Sequence, residues 1–133
     1  MTRPLKTILS VDDDDDIRMI GALILKKKGG FDVVSKPSGQ QALDYLSLLG
    51  EDDLPDIIML DVMMPGMDGS QTLLSIREKA PHPMANIPVV FITAKCQPDE
   101  ITRLIGLGAV SVISKPFEAT TLAAQVLDIW DAL

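Results

Sequence analysis

An alternation constrains this chain more than any other feature. Short β-prone runs recur five times, and a stretch of helical periodicity follows each one. The runs are Thr7-Ile8-Leu9-Ser10-Val11, Phe31-Asp32-Val33-Val34-Ser35, Ile57-Ile58-Met59-Leu60, Pro88-Val89-Val90-Phe91-Ile92 and, weakest, residues 109–113. Strands joined by helices must run parallel, because a parallel pair needs a long crossover, and such crossovers are right-handed. In the first helical stretch Ile17, Ile20 and Ile24 share a face, widened by Met19 and Leu23. Lys26-Lys27-Lys28 suit its last turn and Gly29-Gly30 end it. Pro37-Ser38-Gly39 turns into a second helix carrying Ala42, Leu43, Leu46 and Leu49. Leu73, Leu74 and Arg77 mark a third over residues 70–79, ended by Pro81-His82-Pro83. Pro98 opens a fourth, with Ile101, Leu104 and Ile105 on one face and Gly106 and Gly108 closing it. The last runs from about Glu118, striped by Leu122, Val126, Ile129 and Leu133. The pattern predicts an α/β protein with one doubly wound, five-stranded parallel sheet and five helices. Its 133 residues suit a single domain, residues 1–133, with no internal repeat or linker.

Composition excludes several function classes. A formal charge of −7 argues against a nucleic-acid partner. Cys96 stands alone, so no intrachain disulfide can form, which suits a reducing cytoplasm. Cys96 reads as a packing residue rather than a nucleophile, since no histidine is near it in sequence. His82 is the sole histidine and reads as an exposed loop residue, which rules out a multi-histidine metal site. The N-terminus lacks a long apolar stretch and no run approaches a membrane span, so neither a signal peptide nor membrane association is expected.

The chemistry collects at one edge. In a parallel sheet all C-terminal strand ends face the same way, and α/β proteins bind ligands there. That edge gathers Asp12 and Asp13 after the first run, Asp61 at the end of the third, Thr93 after the fourth and Lys115 after the fifth. Three carboxylates repel one another unless a cation neutralises them. Hard oxygen donors without His or Cys suit Mg²⁺. A lysine and a hydroxyl can hold further phosphoryl oxygens, and a carboxylate can itself be a nucleophile. The set fits a phosphoryl group carried on Asp61. Asp14, Asp15 and Asp16 read as solvated residues or caps of the first helix.

Four motifs, in order, carry a resemblance. Ile8-Leu9-Ser10-Val11-Asp12-Asp13, then Leu60-Asp61-Val62-Met63-Met64-Pro65-Gly66-Met67-Asp68-Gly69, then Val90-Phe91-Ile92-Thr93-Ala94, then Ser114-Lys115-Pro116-Phe117 together resemble the receiver domain of two-component response regulators. The resemblance covers almost the whole chain. It implies the flavodoxin-like strand order 2-1-3-4-5 and Asp61 as phosphoacceptor. It further implies Asp13 on Mg²⁺ directly, Asp12 through water, the backbone carbonyl of Met63 as another ligand, Thr93 and Lys115 on the phosphoryl group, and a cis Lys115–Pro116 bond. The implied protein is cytoplasmic and catalyses only its own phosphorylation and dephosphorylation. Its implied partners are a sensor histidine kinase or a histidine phosphotransfer protein, and a downstream protein target. Output, relay and phosphate-sink roles all remain open.

The alternative is a small Mg²⁺-dependent phosphatase with Asp61 as nucleophile. Such an enzyme would want a general acid close by, and Met63 stands second after Asp61. One position departs from the family: Val112 stands three residues before the lysine, where Tyr or Phe is usual. Any switch is therefore expected to run through residues 94–98 and the helix that begins there. The methionines of residues 59–67 suit both core and partner surface. Trp130 lies off the last stripe, open to being a partner anchor or a cover for the sheet edge.

Overall fold

The structure, a computed structural model, describes residues 3–133. Its elements are β1 (Thr7–Val11), α1 (Asp15–Gly29), β2 (Asp32–Lys36), α2 (Gly39–Ser47), β3 (Ile57–Asp61), α3 (Gly69–Arg77), β4 (Val89–Thr93), α4 (Pro98–Gly106), β5 (Ser111–Ser114) and α5 (Leu122–Asp131), with 3-10 turns at Glu51–Asp53 and Pro83–Asn86. The described residues form one five-stranded sheet, all parallel, in the expected order β2-β1-β3-β4-β5. β3 and β4 are buried at every residue, as central strands covered on both faces must be. Alternate side chains feed two cores. Leu9, Leu60 and Phe91 join Leu46, Leu73, Ile76 and Leu104 from α2, α3 and α4. Ile8, Ile57, Val90 and Ile113 join Leu25 of α1 and Leu122, Val126 and Trp130 of α5.

The helix ends follow their sequence signals. Asp14 caps α1 by accepting from the N–H groups of Asp16 and Ile17, and Gly30 closes it in the left-handed region at φ 69°. Ser38 caps α2, and Asp68 with Gln71 forms a capping box on α3.

The faces are where expectation and structure part. α1 buries only part of the expected stripe: Ile24 packs half-buried against the second core and Ile17 is half-buried. Its buried residues are Gly21, Ala22 and Leu25, while Met19, Ile20 and Leu23 are 69, 52 and 51 % exposed. The helix seats through its small residues. A Cβ at Gly21 would already stand 3.3 Å from the Phe117 ring, so the close-approach face is the one without bulk. α5 begins at Leu122, not near Glu118; Glu118 instead accepts from the N–H groups of Thr121 and Leu122 in a preceding turn. Its buried stripe is Leu122, Val126 and Trp130, and Leu133 is exposed. Trp130 is fully buried, so it is not a partner anchor; it packs in the core against the sheet. In α4 Leu104 is buried while Ile105 is exposed, and in α3 Ile76 takes the core place expected of Leu74. Arg77 packs no apolar face; its guanidinium donates to the carbonyls of Ala85, Ile87 and Gly108. His82 is half-buried rather than exposed, and its Nδ1 accepts from the Met84 N–H at 3.1 Å. β5 starts two residues later than expected, at Ser111.

Candidate functional site

Strand register brings the chemistry together. Val11 pairs with Leu60, so Asp12 and Asp61 leave the sheet side by side. Thr93 pairs with Ser114, and the Lys115 N–H donates to the Thr93 carbonyl at 2.9 Å, which carries Lys115 to the same edge. The Lys115–Pro116 bond is cis, as the resemblance implied. Asp12, Asp61 and Thr93 are buried and Asp13 is exposed. One carboxylate oxygen from each of Asp12, Asp13 and Asp61 lies within 4.8 Å of the others. Lys115 Nζ stands 3.0 Å from Asp12 Oδ2 and donates to Asp61 Oδ2 at 3.1 Å. The other oxygen of Asp12 accepts from the Asp14 N–H at 2.9 Å, and that of Asp61 from the Met63 N–H at 3.4 Å. Thr93 Oγ1 accepts from the Lys95 N–H at 3.0 Å, which leaves its hydroxyl hydrogen to donate. Cys96 is half-buried beside it, its Sγ donating to the Thr93 carbonyl, as a packing residue would.

The loop after Asp61 is shaped by two glycines. Gly66 is left-handed at φ 72°. Gly69 lies so close to the end of β3 that a Cβ there would stand 2.3 Å from the Asp61 carbonyl oxygen and 2.8 Å from Val62 Cα. Both obstacles are backbone, so they cannot swing away. Gly69→Ala should therefore cost about 1–3 kcal/mol, the usual range for overpacking, and should move the Asp61 and Val62 amide resonances. Urea denaturation with amide spectra checks this, and an unchanged midpoint would mean the loop yields. The methionines divide as their chemistry allowed. Met59 and Met64 are core, Met67 packs half-buried over α2's start, and Met63 is exposed.

The electrostatics are those of an incompletely neutralised cluster. Burial first, then the Asp12 charge, push the Asp61 carboxyl up to about 6; the hydrogen bond and charge of Lys115 and the Met63 N–H hold it back. Burial works against the Lys115 ammonium, but its bonds to Asp12 and Asp61 outweigh burial and keep it above its ordinary value. One ammonium cannot balance three carboxylates, so the site favours an added cation. Its donors are all oxygen, which fits Mg²⁺ and not a thiolate- or imidazole-seeking metal.

Every residue expected at the site is at this edge. Two others went unread in the sequence: Gly69, and Arg18, whose Nη1 donates to the Asp12 carbonyl at 2.7 Å. The available signal for Arg18 was a lone cation two residues past an acidic run.

The profile described as "Response regulator receiver domain" matches residues 8–127. The transcriptional regulatory protein CseB of Streptomyces coelicolor is 36 % identical over 121 residues, covering 90 % of this chain and 47 % of that protein. The chain thus spans about half the length of that curated relative. The chemotaxis response regulator CheY4 of Vibrio cholerae superposes with a TM-score of 0.82 at 25 % identity, over 94 % of this chain and 98 % of that one. The signal receiver domain of a signal transduction histidine kinase from Syntrophus aciditrophicus superposes with a TM-score of 0.79 at 28 % identity, over 96 and 92 %.

Proposed function

The chain belongs to the response regulator receiver family, a signalling family of two-component systems, and on that premise we propose that Asp61 is its phosphoacceptor. One observation carries the reading: a buried carboxylate, Asp61, shares a sheet edge with two further acids and with a lysine bonded to it. In the proposed transfer an Asp61 carboxylate oxygen attacks the phosphorus of a partner's phosphohistidine. The P–N bond breaks and the imidazole leaves with its electron pair. Lys115 then follows a phosphoryl oxygen in place of the Asp61 oxygen it now holds, and Thr93 donates its hydroxyl to another. Mg²⁺ would be held by Asp12, Asp13 and Asp61 with the Met63 carbonyl, and would neutralise charge on the transferring group. On this reading residues 1–133 act as one receiver domain that catalyses only its own phosphorylation and dephosphorylation.

The proposed phosphodonor is a sensor histidine kinase or a histidine phosphotransfer protein, and the proposed output is contact with a downstream protein. A surface for the donor lies beside the site. Ile17 and Ile20 of α1 line a shallow cavity with Lys115, Pro116 and Phe117. We take this rim as the surface a donor would cover on reaching Asp61. No helix among the described residues is long and apolar enough to cross a membrane, which is compatible with the cytoplasmic site of action we propose.

The phosphatase reading is not favoured: the family is one of signalling domains, and Met63 offers no acid at the position such an enzyme would use. Incubation with a small-molecule phosphoramidate and Mg²⁺ tests the proposal. The expected result is one slowly lost phosphoryl group per chain; many turnovers on phosphomonoesters would overturn it.

A further inference from the structure

We infer that Arg18 is a positioning residue for the acidic pair, fixing the Asp12–Asp13 peptide so that both carboxylates present to one divalent cation. The inference rests on the reading of Asp12, Asp13 and Asp61 as the Mg²⁺ ligands. β1 pairs with β3 only as far as Val11 and Leu60, so the Asp12 carbonyl has left the ladder when it reaches the site. Arg18, on the first turn of α1, folds back six residues to take it: Nη1 donates to that carbonyl at 2.7 Å, while Nη2 donates to Asp15 Oδ1 at 2.6 Å. The two bonds differ in weight. The Asp15 side chain is 81 % exposed, so that ion pair is a tether of small energy, whereas the Arg18 side chain is only 19 % exposed. The short, charge-assisted bond to the carbonyl is the stronger constraint.

The constraint matters because of what surrounds it. The Asp12 carboxylate is already held at both oxygens, by the Asp14 N–H and by Lys115. Its own N–H donates to the Lys36 carbonyl. Asp13 is exposed, and among the described residues none donates to its carboxylate. The direction of Asp13 is therefore set by the peptide before it, whose oxygen Arg18 holds. Partners that orient metal ligands from behind typically change metal affinity by roughly 10- to 100-fold, and an open, water-rich Mg²⁺ site belongs at or below the low end.

Positioning and simple charge screening make different forecasts. Lysine keeps the charge but lacks the planar guanidinium that fixes the direction of the bond to the Asp12 carbonyl. Calorimetric titration of Mg²⁺ alone into the whole chain should show the dissociation constant raised about 3- to 10-fold in both Arg18→Lys and Arg18→Gln, with Asp15→Asn changed less than about twofold. Phosphoryl uptake in both Arg18 variants should need correspondingly more Mg²⁺ to reach half its maximum. A purely structural role would lower the folded fraction without moving the Mg²⁺ midpoint. Wild-type affinity in Arg18→Lys overturns the inference, as charge alone would then suffice; wild-type affinity in both variants overturns it outright. If Arg18→Gln does not fold, the Asp13 and Asp14 amide shifts of metal-free Arg18→Lys decide, and unchanged shifts count against it. A wild-type chain that binds no Mg²⁺ would overturn the site reading itself, a result distinct from equal binding by all.

Discussion

Asp61→Asn is expected to abolish phosphoryl uptake and, without Mg²⁺, to stabilise the fold at pH 7 by about 1–3 kcal/mol. Both effects come from one carboxylate. Asparagine cannot form the acyl phosphate, so the first effect is complete. The second follows from linkage. The Asp61 carboxyl titrates at about 6 in the fold, against an ordinary 3.8. The folded state then binds this proton more tightly than the unfolded state. Ionised Asp61 thus costs stability fully above about 6, and the cost vanishes as pH falls through 3.8. Two pH units correspond to about 3 kcal/mol, an upper figure because Lys115 loses one acceptor in the variant. The difference between wild type and variant should shrink steadily from pH 7 to pH 4. Mg²⁺ should narrow it too, by binding wild type better. Urea denaturation across that range, with and without Mg²⁺, measures all of this. A variant no more stable than wild type at pH 7, or one that takes up phosphate in full, would sink the assignment.

The site was legible in sequence for a geometric reason. Asp12, Asp61, Thr93 and Lys115 each lie at, or within two residues of, the end of an apolar run, and in a parallel sheet those ends meet at one edge. Knowing where each run stops was enough to place the residue. The supporting contacts had no such marker. Gly69 matters because the Asp61 backbone passes against it, and Arg18 because it folds back onto a carbonyl; neither is a periodic signal. The faces of α1 were misread for a related reason. Ile17, Ile20 and Ile24 repeat as regularly as Gly21 and Leu25, and period alone cannot say which stripe approaches the sheet. Space decided it, in favour of glycine and alanine, and left Met19, Ile20 and Leu23 exposed. Val112 shows the same rule from within. It packs half-buried against the cluster that includes Phe91, Leu104 and Ala109, a place with no ring to swing.

Trp130→Ala is expected to cost about 3–5 kcal/mol, a large share of the roughly 5–15 kcal/mol that holds a domain folded. The ring has no exposed surface and belongs to the cluster of Leu5, Ile57, Val90 and Val126. The sequence pattern sets it off the stripe because Ile129 and Leu133 continue the period of Leu122 and Val126. The buried spacing is instead a plain i, i+4, i+8 from the helix start at Leu122. Its indole N–H donates to the Arg3 carbonyl at 2.9 Å, and the Arg3 guanidinium lies 5.3 Å from the ring centroid. Arg3 in turn pairs with Asp56, which also accepts from the Lys6 and Thr7 N–H groups at 2.9 and 3.1 Å. One ring thus joins the end of α5 to the segments leading into β1 and β3. Burial acts against the Asp56 carboxylate, but the bonds from Lys6, Arg3 and Thr7 outweigh it and hold the carboxyl below its ordinary 3.8. That contribution is present above 3.8 and fades as pH falls through the lower folded value. Trp130→Phe keeps most of the volume but leaves the Arg3 carbonyl without its donor, so it should cost about 1–3 kcal/mol. Urea midpoints of the two variants at pH 7 give the comparison. Because this cluster sits at the end of the sheet away from Asp61, folded Trp130→Phe should take up phosphate as wild type does. A loss under about 1 kcal/mol in Trp130→Ala would show that the ring is not the core residue its burial implies.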